Sequence, residues 1–106
     1  MEQRIRDILA ELRGRLEELY AERLVRRVLF GSRARGDAEA GSDVDVLVVL
    51  RGPVSPGREI ARTGEIVAEL SLVLDETICC AFVDEREFAT RQGPFLRNVR
   101  REGIPA

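Results

Sequence analysis

The chain has 106 residues, which suffices for one domain with a single hydrophobic core and is too short for two. Its net charge of −2 and aromatic content of 5% argue against nucleic acid as the main partner. Because it contains no histidine, Ser-His-Asp hydrolysis, Cys-His catalysis and histidine-ligated zinc are excluded within the chain. We find no signal-peptide pattern and no apolar run near the ~18 residues of a membrane span, so we expect a cytoplasmic protein without membrane contact.

The first twenty residues predict an amphipathic helix, because apolar side chains recur at helical spacing among glutamates and arginines. Those side chains are Ile5, Ile8, Leu9, Leu12, Leu16, Leu19 and Tyr20. Leu24–Phe30 then has the pattern of a strand that ends at the pair Gly31-Ser32. We expect Ser32 to cap a short helical turn that runs to Arg35.

The clearest strand of the chain is Asp43–Leu50, which follows the small, polar loop Gly36–Ser42. Residues two apart on a strand point to the same face, so the carboxylates of Asp43 and Asp45 should project together. The connection from the preceding strand is too short for a parallel crossover, which favours antiparallel pairing of these two strands. Gly31-Ser32 would then lie near both carboxylates across the turn.

The second half of the chain predicts a helix, a strand and a final helix. A helix from about Gly57 to Leu74 should bury Ile60, Gly64, Val67, Leu70 and Leu74. The remaining predictions are a strand at Thr77–Val83, a turn capped by Asp84 and reaching Phe88, and a helix at Pro94–Glu102 stopped by Gly103 and Pro105. The element order predicts an α+β fold, a small mixed sheet with helices packed on one side.

Two carboxylates opposite a glycine-led bend are suited to holding Mg²⁺ and a nucleoside triphosphate. Glycine allows the backbone to approach a phosphate closely, the Ser32 hydroxyl adds a donor, and Arg33 and Arg35 could neutralise phosphate charge. Each feature alone has a simpler interpretation. The acids could mark a polar strand entry, the Gly-Ser pair an ordinary strand end, and the arginines a solvated edge.

The combination is more specific than its parts. Gly31-Ser32, ten intervening residues and then Asp43-x-Asp45 resemble the minimal nucleotidyltransferases of the DNA polymerase β superfamily. The segments RARG, SDVDVLV and FLRNVRREG are similar to that family as well, so the resemblance covers the whole chain, residues 1–106, as a single palm-like domain. It implies that Gly31 and Ser32 hold the triphosphate and that Asp43 and Asp45 are catalytic ligands of Mg²⁺.

The resemblance also implies an activity and a partner. The expected reaction is Mg²⁺-dependent transfer of AMP from ATP to a hydroxyl, on a tyrosine of a small helical toxin of the HEPN type encoded nearby. The chain would then be the antitoxin of a toxin–antitoxin pair. Nothing in the sequence distinguishes ATP from another nucleoside triphosphate, so the nucleobase stays open. The alternative is a catalytically degenerate domain that neutralises its partner by contact.

One departure from the superfamily concerns a third carboxylate on a later strand. The matching segment Ile78–Val83 contains no acid, although acidic residues flank it at Asp75, Glu76, Asp84 and Glu85. Either a flanking acid, a partner or the substrate replaces that carboxylate, or the site binds nucleotide and turns over poorly. We expect Cys79 and Cys80 on this strand to be buried apolar filler rather than a disulfide.

Four apolar residues near the C-terminus could dock a partner or pack on the chain's own sheet. They are Phe88, Phe95, Leu96 and Val99.

Overall fold

The computed structural model describes residues 2–106, and its helices and strands follow the predicted order. The helices are α1 (Gln3–Tyr20), α2 (Ser32–Arg35), α3 (Pro56–Leu74), α4 (Glu85–Thr90) and α5 (Pro94–Glu102). The strands are β1 (Leu24–Phe30), β2 (Val44–Leu50), β3 (Ile78–Asp84) and β4 (Ile104–Pro105). Within residues 2–106, no helix combines the length and the apolar character needed to cross a bilayer.

The strands form one mixed sheet in the order β3-β2-β1-β4. β1 and β2 are antiparallel, as the short connection predicts, and β2 and β3 are parallel with α3 as the crossover. The predicted α+β fold with a small mixed sheet is confirmed. The sequence did not predict β4, whose residues Ile104 and Pro105 pair with Leu29 and Val28. A proline is tolerated there because β4 is an edge strand.

The two faces of the sheet differ in how they are covered. Alternate residues of β2, from Val44 to Leu50, pack with α1 and α3 in the larger core. On the other face Leu47 and Val49 pack with Leu96 and Val99 of α5. The long helices α1 and α3 therefore share one face, as predicted for all the helices. The short helices α4, through Phe88, and α5 instead cover part of the other face. This packing settles the alternative for Leu96 and Val99, which are buried against the chain's own sheet.

The predicted buried side of α3 is confirmed in part, since Leu70 is buried and Val67 and Leu74 pack against the larger core. Ile60 and Gly64 are exposed, whereas Glu59 and Thr63 are buried at 3% and 1% exposure. The Tyr20 hydroxyl donates a hydrogen bond of 2.8 Å to Glu59 Oε1, and Thr63 Oγ1 donates one of 2.9 Å to the Glu59 carbonyl. Burial, together with the Glu59 carboxylate, raises the pKa of the Tyr20 hydroxyl. Apolar spacing missed Glu59 and Thr63 because partnered polar groups can be buried.

Asp84 caps α4, as predicted, since its Oδ1 accepts the Glu87 N–H at 2.7 Å. We expect Asp84→Ala to lower the free energy of unfolding by about 1 kcal/mol in urea titrations, because the first turn of α4 loses this acceptor. Asp84 pairs with Leu50, at the opposite end of β2 from Asp45. Five residues separate Asp45 from Leu50 along the strand, which corresponds to about 16 Å. A change in metal or nucleotide binding in this variant would contradict the assignment of Asp84 as a purely structural cap.

Candidate active site

Asp43 and Asp45 come together with Cys79 at one end of the sheet. Asp43 lies just before β2 and is exposed, and Asp45 is the second residue of the strand and is partly buried. In the parallel register Asp45 pairs with Cys79 of β3. One ligand atom from each of the three residues lies within 4.8 Å of the other two. Because side chains alternate along a strand, Asp43 and Asp45 point to the same face as Leu47 and away from the face of Val44. Together with Cys79 they therefore occupy the more thinly covered face of the sheet.

The electrostatics of the acid pair favour a cation. Burial raises the pKa of the Asp45 carboxyl, and the negative charge of Asp43 raises it further. A partly buried carboxylate beside a second carboxylate is costly without a positive partner. A divalent cation placed between the two would remove that cost.

The glycine-led bend touches the acid pair. Phe30 at the end of β1 pairs with Asp45 across the antiparallel ladder, and Gly31 follows it with φ 75° and ψ −159°. A Cβ at Gly31 would lie only 2.6 Å from Asp45 Oδ2, so the absence of a side chain makes room for this carboxylate. The predicted cap at Ser32 is wrong, because Gly31 occupies the capping position and Ser32 is the first residue of α2.

The two arginines after the bend have different surroundings. Arg33 is largely buried, and its Nη2 donates to the Ser42 carbonyl at 3.0 Å and to Glu76 Oε2 at 3.3 Å. It therefore ties α2 to the residue before Asp43. Arg35 is more exposed and contacts Asp37 at 3.2 Å. Direct contact of either arginine with a triphosphate stays a prediction.

These surroundings predict different effects for two matched substitutions. Arg33→Ala should lower the free energy of unfolding by about 1–2 kcal/mol, because the Ser42 carbonyl and the mostly buried Glu76 lose a charged donor. Arg35→Ala should change it by less than about 0.5 kcal/mol, since its partner Asp37 is exposed. Urea denaturation of both variants measures this difference. Equal stability of the two variants would contradict a tethering role for Arg33.

The cysteines do not share one environment. Cys79 is exposed, so its prediction as buried filler is wrong, whereas Cys80 is half-buried and packs against the larger core. Both thiols are free, as predicted. Cys79 Sγ lies 3.7 Å from Asp43 Oδ2, and partial loss of hydration together with the adjacent Asp43 carboxylate raises the pKa of its thiol. The sequence signal for Cys79 is its position on the strand that lacks the expected acid.

The flanking acids do not join the cluster. Glu76 is held by Arg33 and by Arg4, whose Nε lies 3.3 Å from Glu76 Oε1. Asp84 and Glu85 lie at the other end of β3. Among residues 2–106, the group that could hold a metal at this end of the sheet is Asp43, Asp45 and Cys79. Two carboxylates and a thiol whose ligand atoms lie within 4.8 Å of one another fit a divalent cation.

A groove of about 360 Å³ lies farther along this face, lined by residues of β2, β3, α4 and α5. Leu47 and Ala81 line it, two residues beyond Asp45 and Cys79 on their strands. Phe95 of α5 forms one wall and is about half exposed. Its ring packs edge-on against that of Phe30, with 5.3 Å between the ring centroids. The groove therefore begins two residues beyond the acid pair, and its lining combines apolar side chains with the polar ones of Glu87, Arg91 and Gln92.

The sequence of the chain is similar to a known family along most of its length. The family described as "Nucleotidyltransferase domain" matches residues 9–103. A curated relative from Methanocaldococcus jannaschii, called "Putative protein adenylyltransferase MJ0141", is 33% identical over 90 residues. That alignment covers 76% of this chain and 90% of the relative.

Solved structures share the fold. A toxin–antitoxin crystal structure with AMP-PNP has a TM-score of 0.61 at 23% identity, covering 91% of this chain and 69% of that one. A mutant of the toxin–antitoxin MntA-HpeT has a TM-score of 0.59 at 24% identity, covering 95% of this chain and 70% of that one. At these identities the likeness concerns the arrangement of helices and strands.

Proposed function

Because the chain belongs to the nucleotidyltransferase domain family, we propose that it transfers AMP from ATP to a hydroxyl group of a partner protein. The observation that carries this proposal is the convergence of Asp43, Asp45 and Gly31 at one end of the sheet. Nucleotidyl transfer requires a bound cation and room for a triphosphate, and it needs no histidine. The name of the archaeal relative supports a protein as the acceptor.

In this proposal Asp43 and Asp45 hold Mg²⁺, which when bound offsets the negative charge on the phosphate oxygens. Gly31 lets the backbone approach the triphosphate, and Ser32 donates a hydrogen bond to it. Arg33 would reach the phosphates only at the cost of its bonds to Ser42 and Glu76, so its main role is to position the loop that ends at Asp43. Arg35, being more exposed, is the better candidate for direct phosphate contact.

We further propose that the acceptor is a tyrosine of a toxin of the HEPN type and that this chain is its antitoxin in the cytoplasm. Support comes from the solved relatives, which are toxin–antitoxin structures, one of them with AMP-PNP. The groove that begins two residues beyond the acids has an apolar floor at Leu47 and Ala81 and an aromatic wall at Phe95, which suits an aromatic acceptor. It opens on the thinly covered face, where a partner could reach it.

The test is incubation of the full chain with ATP labelled on the α-phosphate, Mg²⁺ and the toxin encoded beside its gene. The expected result is label on a tyrosine of the toxin and loss of toxicity. Tight binding of the two proteins without any label transfer would refute the enzyme and favour the alternative, a domain that neutralises its partner by contact. Mass spectrometry of the labelled peptide identifies the acceptor residue.

A further inference from the structure

The position of Cys79 gives the proposed metal site a third donor. Cys79 pairs with Asp45 in the parallel register of β2 and β3, and its Sγ faces Asp43 Oδ2 at 3.7 Å. Cys80 next to it points to the opposite face, into the larger core. Of the two thiols, only that of Cys79 is exposed and directed toward the acids.

The distances suit a common ion. Ligand atoms that lie about 2.1–2.3 Å from one ion can be at most about 4.5 Å apart. The carboxylate oxygens and the sulfur lie within 4.8 Å of one another, so small side-chain rotations bring all three onto one cation. No other donor is needed from the protein, since water or a phosphate oxygen can complete the coordination.

We propose that Cys79 is a third protein ligand of this site and shifts its metal preference from Mg²⁺ toward thiophilic cations such as Zn²⁺ or Co²⁺. Mg²⁺ binds oxygen donors and is held by Asp43 and Asp45 alone, whereas Zn²⁺ gains a sulfur ligand. When the sulfur coordinates, its proton passes to solvent and the thiolate donates the electron pair. The inference rests on the proposed function, because it concerns the metal of the same site.

The consequence is competition between metals. A cation that uses all three ligands is held more tightly than one that uses two. Zn²⁺ would therefore displace Mg²⁺ from Asp43 and Asp45 at concentrations well below those of Mg²⁺. Because the whole chain has no histidine and the other thiol packs against the core, we expect this to be the main thiophilic site.

The experiment uses the metal-free chain of 106 residues and measures metal binding directly. Co²⁺ bound through sulfur gives a thiolate-to-cobalt absorption in the near ultraviolet. We expect this band in the wild type and in the matched control Cys80→Ser, and its absence in Cys79→Ser. Calorimetric titration should show Zn²⁺ affinity falling at least about tenfold in Cys79→Ser, while Cys80→Ser keeps the wild-type value. Circular dichroism checks the folding of each variant.

A second variant keeps the proposal falsifiable if Cys79→Ser folds poorly. Cys79→Asp supplies a third oxygen ligand, so it should lack the cobalt band and bind Mg²⁺ more tightly than the wild type. A cobalt band that survives in Cys79→Ser, or that disappears in Cys80→Ser instead, overturns the proposal. These readouts do not depend on AMP transfer, so a failure of the ligand assignment and a failure of the proposed function are distinguishable.

Discussion

Replacing Asp45 by Asn is expected to reduce AMP transfer by about a thousandfold or more. The substitution preserves shape but removes one of the two carboxylates available to Mg²⁺ at the end of β2. Metal-ion stabilisation of developing charge contributes several kilocalories per mole, and each 1.36 kcal/mol corresponds to about a tenfold change in rate. Asp43→Asn should have an effect of the same order. Single-turnover transfer of labelled AMP measures both.

The same Asp45→Asn variant should be more stable than the wild type when no metal is added. The pKa of Asp45 is raised in the folded chain by burial and by Asp43, so at neutral pH the ionised carboxylate opposes folding. Its removal should raise the free energy of unfolding by about 0.5–1 kcal/mol. This gain should shrink on acidification and vanish below the ordinary pKa of 3.8, where the carboxyl is protonated in both states.

Asp84→Asn is the control for Asp45→Asn, because it removes one negative charge from the chain at a position far from the acid pair. Asparagine caps a helix about as well as aspartate, so stability should be unchanged and transfer should remain at the wild-type rate. If Asp84→Asn and Asp45→Asn lost activity equally, the acid pair would have no special role. If Asp45→Asn instead destabilised the metal-free protein, the electrostatic account of the site would be wrong.

Replacing Gly31 by Ala is expected to reduce both stability and AMP transfer. The backbone at Gly31 has φ 75° and ψ −159°, a conformation that costs an alanine about 1–3 kcal/mol. The added methyl group would also lie 2.6 Å from Asp45 Oδ2. Because that oxygen is at the end of a rotatable side chain, we expect Asp45 to turn away and lose its place beside Asp43. Transfer should then fall about as far as in Asp45→Asn.

A double-mutant cycle separates the two causes. In an Asp45→Ala background the colliding oxygen is absent, so Gly31→Ala should retain only the backbone cost. Gly14→Ala provides a control, because Gly14 lies within α1 with no atom within 4 Å of its added methyl group. That substitution should stabilise the chain by about 0.5–1 kcal/mol through helix propensity. Equal costs of Gly31→Ala in both backgrounds would show that no collision with Asp45 occurs.

Local sequence patterns predicted most of the fold. The apolar spacing of α1, the strand at Val44–Leu50 and the cap at Asp84 each depend on neighbours in the chain, so they could be identified without tertiary information. The buried position of Glu59 on α3 could not, because its carboxylate accepts a hydrogen bond from Tyr20, 39 residues earlier, in addition to its pairing with Arg62. The pairing of Ile104–Pro105 with β1 was also missed, because a strand of two residues has no recognisable sequence pattern and its partners lie far away in the chain.

The candidate site likewise combines features set by local sequence with features set by long-range contacts. The spacing of Gly31, Ser32, Asp43 and Asp45 is a local property of one strand–turn–strand, so the sequence by itself was enough to predict that the acids and the bend belong together. The placement of Cys79 beside Asp45 and the attachment of Arg33 to Glu76 depend on how β3 pairs with β2 and on contacts 43 residues apart. Register and long-range contacts are set by packing of the whole chain, and only the tertiary structure decided them.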